Sequence, residues 1–196
     1  HDHITCVKGS FDLARHAIRN LGEGGAVLNL NTVINRFNCD HLHELAQLVV
    51  DEMPWVSHVV INNLDPSMGR AETNRQALHR LVDMEVSLHK ALGILTAGAR
   101  TFRVERVPLC FMVDYAHCST ETRKIIKAEE RIIHFLDEKG TVRQTSFRHH
   151  KAAVCAHCSL DPICAGLFEM GHGFDETELA PVFVDPAAII RRVLRQ

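Results

Sequence analysis

The chain has 196 residues with 22 Lys+Arg, 24 Asp+Glu, seven Cys and 14 His, and a formal charge of −2. That length suits one domain or one and a half with a real core, and 46% hydrophobic against 23% charged residues excludes disorder. The near-neutral balance excludes a strongly basic nucleic-acid binder, and no apolar run approaches the roughly 18 residues of a membrane span. Residues 1–24 are polar and hold no apolar stretch of signal type. An odd number of Cys fits a paired disulfide framework poorly. These features predict a reducing, cytoplasmic setting in which clustered thiolates bind metal. Position 1 is His rather than Met, and the expectation is that the numbering begins inside a longer protein.

Ser10 is a good N-cap for a first helix on which Leu13, Ala17, Ile18 and Leu21 recur, with Gly22 closing it. Residues 26–34 alternate as a strand, with Leu28, Leu30, Thr32 and Ile34 on one face and Val27, Asn29, Asn31 and Val33 on the other. Asp40 caps a second helix carrying Leu42, Leu45, Ala46 and Val49, stopped by Pro54. WVSHVVIN (55–62) reads as a second strand. After the loop NLDPSMG, Thr73 or Asn74 opens a long helix with Leu78, Leu81, Val82, Glu85, Leu88, Leu92 and Leu95 on one core-packing stripe before Gly98. TFRVERV (101–107) is a third strand, ended by Pro108.

Strands alternating with helices imply an α/β fold with parallel strands and right-handed crossovers. Three such strands cannot close a barrel and leave open edges, so a half-barrel is the economical arrangement. Ligands gather at the carboxyl ends of parallel strands, which makes the Asn residues of residues 26–34 candidate ligand contacts. Beyond Pro108, Ser119 or Thr120 caps a fourth helix with Ile125, Ile126, Ile132, Ile133 and Leu136, ended by Gly140. Residues 141–150 form a short strand and a basic turn, and Asp185-Pro186 starts a terminal helix through Arg195.

The chemistry lies in the cysteines. VCAHCSLDPICAG is a C-x2-C-x5-C run through Cys155, Cys158 and Cys164, with Pro162 and Gly166 supplying turn residues. Two Cys separated by two residues place both sulfurs on one metal centre, and three thiolates need a fourth ligand. Cys110 or Cys118 supplies it from a distance, while Cys6 and Cys39 read as plain buried thiols. A cubane iron–sulfur cluster takes four Cys, whereas structural zinc takes four Cys or a Cys/His mixture. With His149, His150 and His157 close by, the spacing leaves both groups open.

In their order along the chain these segments resemble the second half of a radical S-adenosylmethionine enzyme core. HDHITCVKGSFD matches the segment that follows the fourth barrel strand in that family. Asn31-Thr32-Val33-Ile34 with Asn38, and then Asn62, Asn63, Pro66 and Gly69, match the two strand ends that come next. Pro108-Leu109-Cys110, the C-x2-C-x5-C run and Glu178-Leu179-Ala180-Pro181 resemble the auxiliary cluster-binding extension of SPASM or twitch type.

The resemblance implies the second half of a partial (βα)6 barrel over residues 1–107 and a Cys-rich extension over 108–196. It also implies an auxiliary [4Fe–4S] cluster on Cys110, Cys155, Cys158 and Cys164, with Cys118 as substitute ligand, and an S-adenosylmethionine pocket lined by Asn31 and Asn62. The implied activity is that of an oxidoreductase. S-adenosylmethionine is cleaved reductively and a hydrogen is abstracted from a peptide or protein substrate, with electrons supplied by a reductant protein. One departure limits it. The family's C-x3-C-x2-C loop occurs nowhere in these 196 residues, so they are expected not to cleave S-adenosylmethionine alone. The competing expectation, from a different class, is a zinc-stabilised binding or scaffolding module without catalysis.

Overall fold

Three runs rich in Val and Ile become the strands of one parallel sheet, whose side-chain alternation decides what each face can hold. In the computed structural model, residues 1–66, 70–134, 140–144, 149–168 and 173–196 are described. A four-residue turn of helix α1 (Asp2–Thr5) and helix α2 (Ser10–Glu23) precede strand β1 (Leu28–Ile34). Helix α3 (Leu42–Glu52), strand β2 (Val56–Asn63), a short helix α4 (Arg70–Thr73), helix α5 (Leu81–Ala97) and strand β3 (Thr101–Glu105) follow. The sheet order is β1-β2-β3 and both pairings are parallel, as alternating strands and helices predict.

Thr32, Val59 and Ile61 pack on Leu42, Ala46, Val49 and Leu95, so α3 and α5 cover one face. The register puts Asn29, Asn31 and Val33 of β1 on the opposite face with His58, Val60 and Asn62 of β2 and Thr101, Arg103 and Glu105 of β3. On β1 the alternation predicted from sequence is observed: Asn29, Asn31 and Val33 are exposed, and Leu28, Leu30, Thr32 and Ile34 turn toward the core. The second face is therefore polar and largely open.

After β3 the chain turns through two 3-10 segments (Leu109–Phe111 and Val113–Cys118) into helix α6 (Thr120–Lys127). Strands β4 (Arg131–His134) and β5 (Thr141–Gln144) form one antiparallel pair, and β6 (His149–His150) and β7 (Leu167–Phe168) another. Helix α7 (Pro186–Leu194) closes the described chain, capped by Asp185, whose carboxylate accepts the Ala187 N–H at 2.9 Å. One buried apolar cluster runs without interruption from Ile34 through Leu88 and Met112 to Leu160 and Leu179.

Several local expectations change. The helix predicted from Ser119 to Gly140 ends at Lys127, with Ala128 left-handed at φ 51° and the Ile132-Ile133 pair in β4. β-branched residues in succession favour the extended chain, and Gly140 at φ +58° supplies the turn conformation before β5. The helix predicted from Thr73 or Asn74 starts at Leu81 instead. The Asn74 side chain donates to the Arg70 carbonyl at 2.7 Å, which closes α4 rather than opening a new helix. Leu78 is extended, and the predicted stripe narrows to Leu81, Met84, Leu88, Ala91, Leu92 and Leu95, with Val82 exposed.

Gly22 lies inside α2 rather than ending it, and Leu13 and Leu21 of its apolar stripe are exposed. Cys6, read as buried, is exposed, while Cys39 is buried. Strand β3 stops at Glu105 because Arg106 is left-handed. Gly69 of the Pro-x-x-Gly turn, Leu136 and residues 145–148 of the basic turn lie outside the described residues. No described helix is long and apolar enough to cross a membrane.

Candidate metal centre

The Cys-rich segment is a succession of tight turns, each made by a backbone hydrogen bond across three or four residues. Cys155 N–H donates to Ala152 O at 2.9 Å, Cys158 N–H to Cys155 O at 2.9 Å, and Cys164 N–H to Leu160 O at 2.9 Å. The two 3-10 turns, Ala153–His157 and Asp161–Ile163, bring three Cys separated by up to nine positions to one side of the loop. Pro162 sits in the second turn, where its fixed φ fits and its missing N–H costs nothing. Gly166 follows at φ +89°. A Cβ there would lie 2.3 Å from the His150 carbonyl oxygen, so only glycine lets the loop return beside β6.

Cys110, from the 3-10 turn after Pro108, meets the three loop cysteines. Cys110, Cys155, Cys158 and Cys164 line one small cavity with Leu109, Leu160 and Leu179 among its apolar walls. Backbone N–H groups point at the sulfurs. Val182 N–H donates to Cys158 Sγ at 3.3 Å and Gly166 N–H to Cys164 Sγ at 3.3 Å. Burial pushes the Cys110 thiol up to about 11, against a backbone N–H from Ala180 that favours its thiolate. Burial also raises Cys164, opposed by the N–H groups of Leu109 and Gly166. A thiol so protonated must release its proton when it ligates a metal. N–H donors aimed at sulfur add little to a neutral thiol and stabilise a thiolate, so the lining suits four anionic ligands.

The tail holds this arrangement from outside. Ser159 N–H donates to Val182 O at 2.9 Å, and the Ser159 hydroxyl accepts from Val184 N–H at 2.9 Å. Glu178 accepts the Val82 N–H at 3.0 Å at the start of α5, which fixes the segment that delivers Leu179 and Ala180 to the cavity. The Glu178-Leu179-Ala180-Pro181 motif thus ties the long helix to the thiols.

Cys118 is placed elsewhere. It is buried at the end of its 3-10 segment, does not line the four-thiol cavity, and is pushed up to about 11 by burial, with Arg103 and Arg192 as the charges that oppose the rise. His157 is exposed, His150 bonds Glu176 at 3.2 Å, and His149 stacks edge-on against Phe168, so none of these three lines the cavity. Among the described residues no three His, Cys, Asp or Glu side chains converge at the spacing of a single bound ion.

On the sheet, the structure brings Asn31 and Asn62 together: Asn62 Nδ2 donates to Asn31 Oδ1 at 2.7 Å on the open face. Asn31 is exposed, and Asn62 is buried with its Oδ1 lacking a hydrogen-bond partner among the described residues. An orphaned buried acceptor beside a solvent-facing amide is the kind of position a polar ligand satisfies.

Asn63, a strand-end residue of the family resemblance, joins two residues that no sequence pattern marks, Glu121 and Arg106, in one device at the end of β3. Arg106 is left-handed at φ +60° and, unlike Ala99 and Ala128 at the ends of helices, it directly follows a strand. Its N–H donates to Glu121 Oε1 at 3.1 Å, and its carbonyl accepts from Asn63 Nδ2 at 3.2 Å. Both partners are buried, and the Arg106 guanidinium lies 4.9 Å over the Phe168 ring. Arg106, Glu121, Cys164 and Gly166 line a neighbouring cleft, which joins the sheet's carboxyl end to the cysteine loop. No family model, no curated protein and no solved structure matches this chain.

Proposed function

We propose that this chain is the carboxyl-terminal part of a radical S-adenosylmethionine oxidoreductase. Residues 1–107 form the second half of a partial barrel, and residues 108–196 hold an auxiliary [4Fe–4S] cluster. The observation that carries the reading is the single cavity lined by Cys110, Cys155, Cys158 and Cys164. Two segments separated by more than forty positions contribute thiols to it, and the motif order along the chain matches the family's extension. The reading takes Cys110 rather than Cys118 as the fourth ligand, since Cys118 does not line this cavity.

The donor set fits the group. Four thiolates are the ligands a cubane takes, the walls are apolar, and N–H groups are directed at two of the sulfurs. When bound, the cluster supplies one-electron transfer. The chain's own part is to present four thiolates, exclude water with Leu109, Leu160 and Leu179, and tune the potential through N–H donors to sulfur.

S-adenosylmethionine and the substrate belong on the open sheet face, where Asn31 and Asn62 offer an amide pair and an unsatisfied acceptor. The resemblance makes the substrate a peptide or protein and the electron source a reductant protein. The C-x3-C-x2-C loop that holds the cluster cleaving S-adenosylmethionine in that family is not among these 196 residues.

The test compares two cysteines. After anaerobic reconstitution with iron and sulfide, Cys110→Ser is expected to lose most of the bound iron, and Cys118→Ser to retain wild-type iron. Equal loss in both variants, or loss only in Cys118→Ser, overturns the ligand set.

A further inference from the structure

The lining of the four-thiol cavity is apolar apart from two charged side chains, Lys151 and Asp161. They are bonded to each other. Lys151 Nζ donates to Asp161 Oδ1 at 2.6 Å and to the Asp161 carbonyl, which clamps the strand entering the cysteine loop to the turn between Cys158 and Cys164. The Lys151 stem also packs against Gly166: its Cδ lies 3.3 Å from where a Cβ of that residue would sit. Both side chains keep part of their surface in water, at 36% and 42% exposure, while lining the same cavity as the four sulfurs.

We propose that the Lys151–Asp161 pair sets the reduction potential of the cluster held by the four thiols, with Lys151 acting to raise it. The inference rests on the iron–sulfur reading above. Four thiolates give the bound group a net negative charge, and one-electron reduction adds one more without changing any ligand. A fixed cation at the cavity wall favours the more negative state, and a fixed anion disfavours it. Water screens the pair on its exposed side, and the apolar lining on the cavity side leaves part of the field to reach the bound group. The clamp matters because a lysine free to swing into solvent exerts little field. Asp161 therefore acts as a positioning residue that holds the charge at the wall while partly neutralising it.

Neither residue carries a sequence signal. Lys151 lies four positions before Cys155, outside the C-x2-C-x5-C run, and Asp161 reads as a turn residue before Pro162.

The experiment is an EPR-monitored redox titration of the anaerobically reconstituted chain with dithionite and dye mediators. Lys151→Met leaves Asp161 as an unpaired anion and is expected to lower the midpoint potential. Asp161→Asn leaves Lys151 as an unpaired cation and is expected to raise it. The shift expected in each case is about tenfold in the reduction equilibrium constant, ~59 mV for a one-electron couple. Lys151→Arg keeps the charge and is expected to stay near wild type, which controls for loss of the clamp. Signals are normalised to bound iron, because a purely structural clamp lowers occupancy in both variants without opposite shifts.

Unchanged potentials, or shifts of the same sign in Lys151→Met and Asp161→Asn, overturn the proposal and leave the iron–sulfur reading standing. Failure of the wild-type chain to bind iron and sulfide overturns both.

Discussion

Glu121 is the buried group whose ionisation bears most directly on folding. Desolvation raises its carboxyl above the ordinary 4.5, and the Arg106 N–H opposes that rise only in part. A carboxyl whose folded pKa exceeds its unfolded one holds its proton more tightly when folded. Its contribution to stability is fully present below about 4.5 and is lost as pH rises through the higher folded value. Glu121→Gln keeps an acceptor for Arg106 and removes that loss. Denaturant unfolding at several pH values should therefore show the variant gaining on wild type as pH rises above the ordinary carboxyl range. A constant difference between the two contradicts the assignment. Glu121→Ala removes the acceptor from a left-handed residue and should cost about 1–3 kcal/mol below the ordinary carboxyl range, the cost shrinking as pH rises and wild type loses stability.

At the same scale, the grouping of Cys155, Cys158 and Cys164 was legible, because a two-residue spacing constrains sulfurs by chain geometry alone. The choice between Cys110 and Cys118 was not. Both lie in the stretch between β3 and α6, and only the path of the 3-10 turns separates a cavity-lining thiol from one near Arg103.

Among the elements, α2 depends on a contact that its own pattern conceals. The helix forms where predicted, but Ser10 is its first residue rather than its N-cap: Gly9 takes that position, and the Asp2 carboxylate accepts the N–H groups of Gly9 and Phe11 and the Ser10 hydroxyl. Backbone bonds accordingly hold the Asp2 carboxyl below its usual range. The helix then docks through Gly22, where a Cβ would lie 2.1 Å from Trp55 Cγ. Gly22→Ala removes the helix-weakening glycine but drives a methyl into the indole. The clash should win and destabilise the chain by about 1–3 kcal/mol in thermal or denaturant unfolding. A stabilised variant would mean that Trp55 yields freely.

The misread elements have a common cause. Ile125, Ile126, Ile132 and Ile133 satisfy a helical period, yet strand pairing across the Gly140 turn overrides it from Arg131 onward. The start of α5 was displaced by one side-chain bond, Asn74 to Arg70, that hydrophobic spacing does not encode.

For the whole molecule, the alternation of strands and helices made the parallel β1-β2-β3 sheet legible, while the exposure of its Asn29 and Asn31 face was not. What pattern alone left out is how the tail returns. Glu178 caps α5 and residues 182–184 bind the Cys158–Ser159 turn, contacts across some 25 to 96 positions that only the folded chain shows. The carboxyl end of the sheet and the cysteine loop are neighbours: Asn63 bonds Arg106, Arg106 bonds Glu121, and Arg106, Glu121 and Cys164 line one cleft. Under the proposed function that set joins the barrel to its auxiliary centre.

The most direct test of this account is iron and acid-labile sulfide analysis of the chain purified and reconstituted without oxygen. The account predicts a brown protein with about four iron and four sulfide per chain. A colourless protein holding one zinc per chain and no sulfide would contradict it.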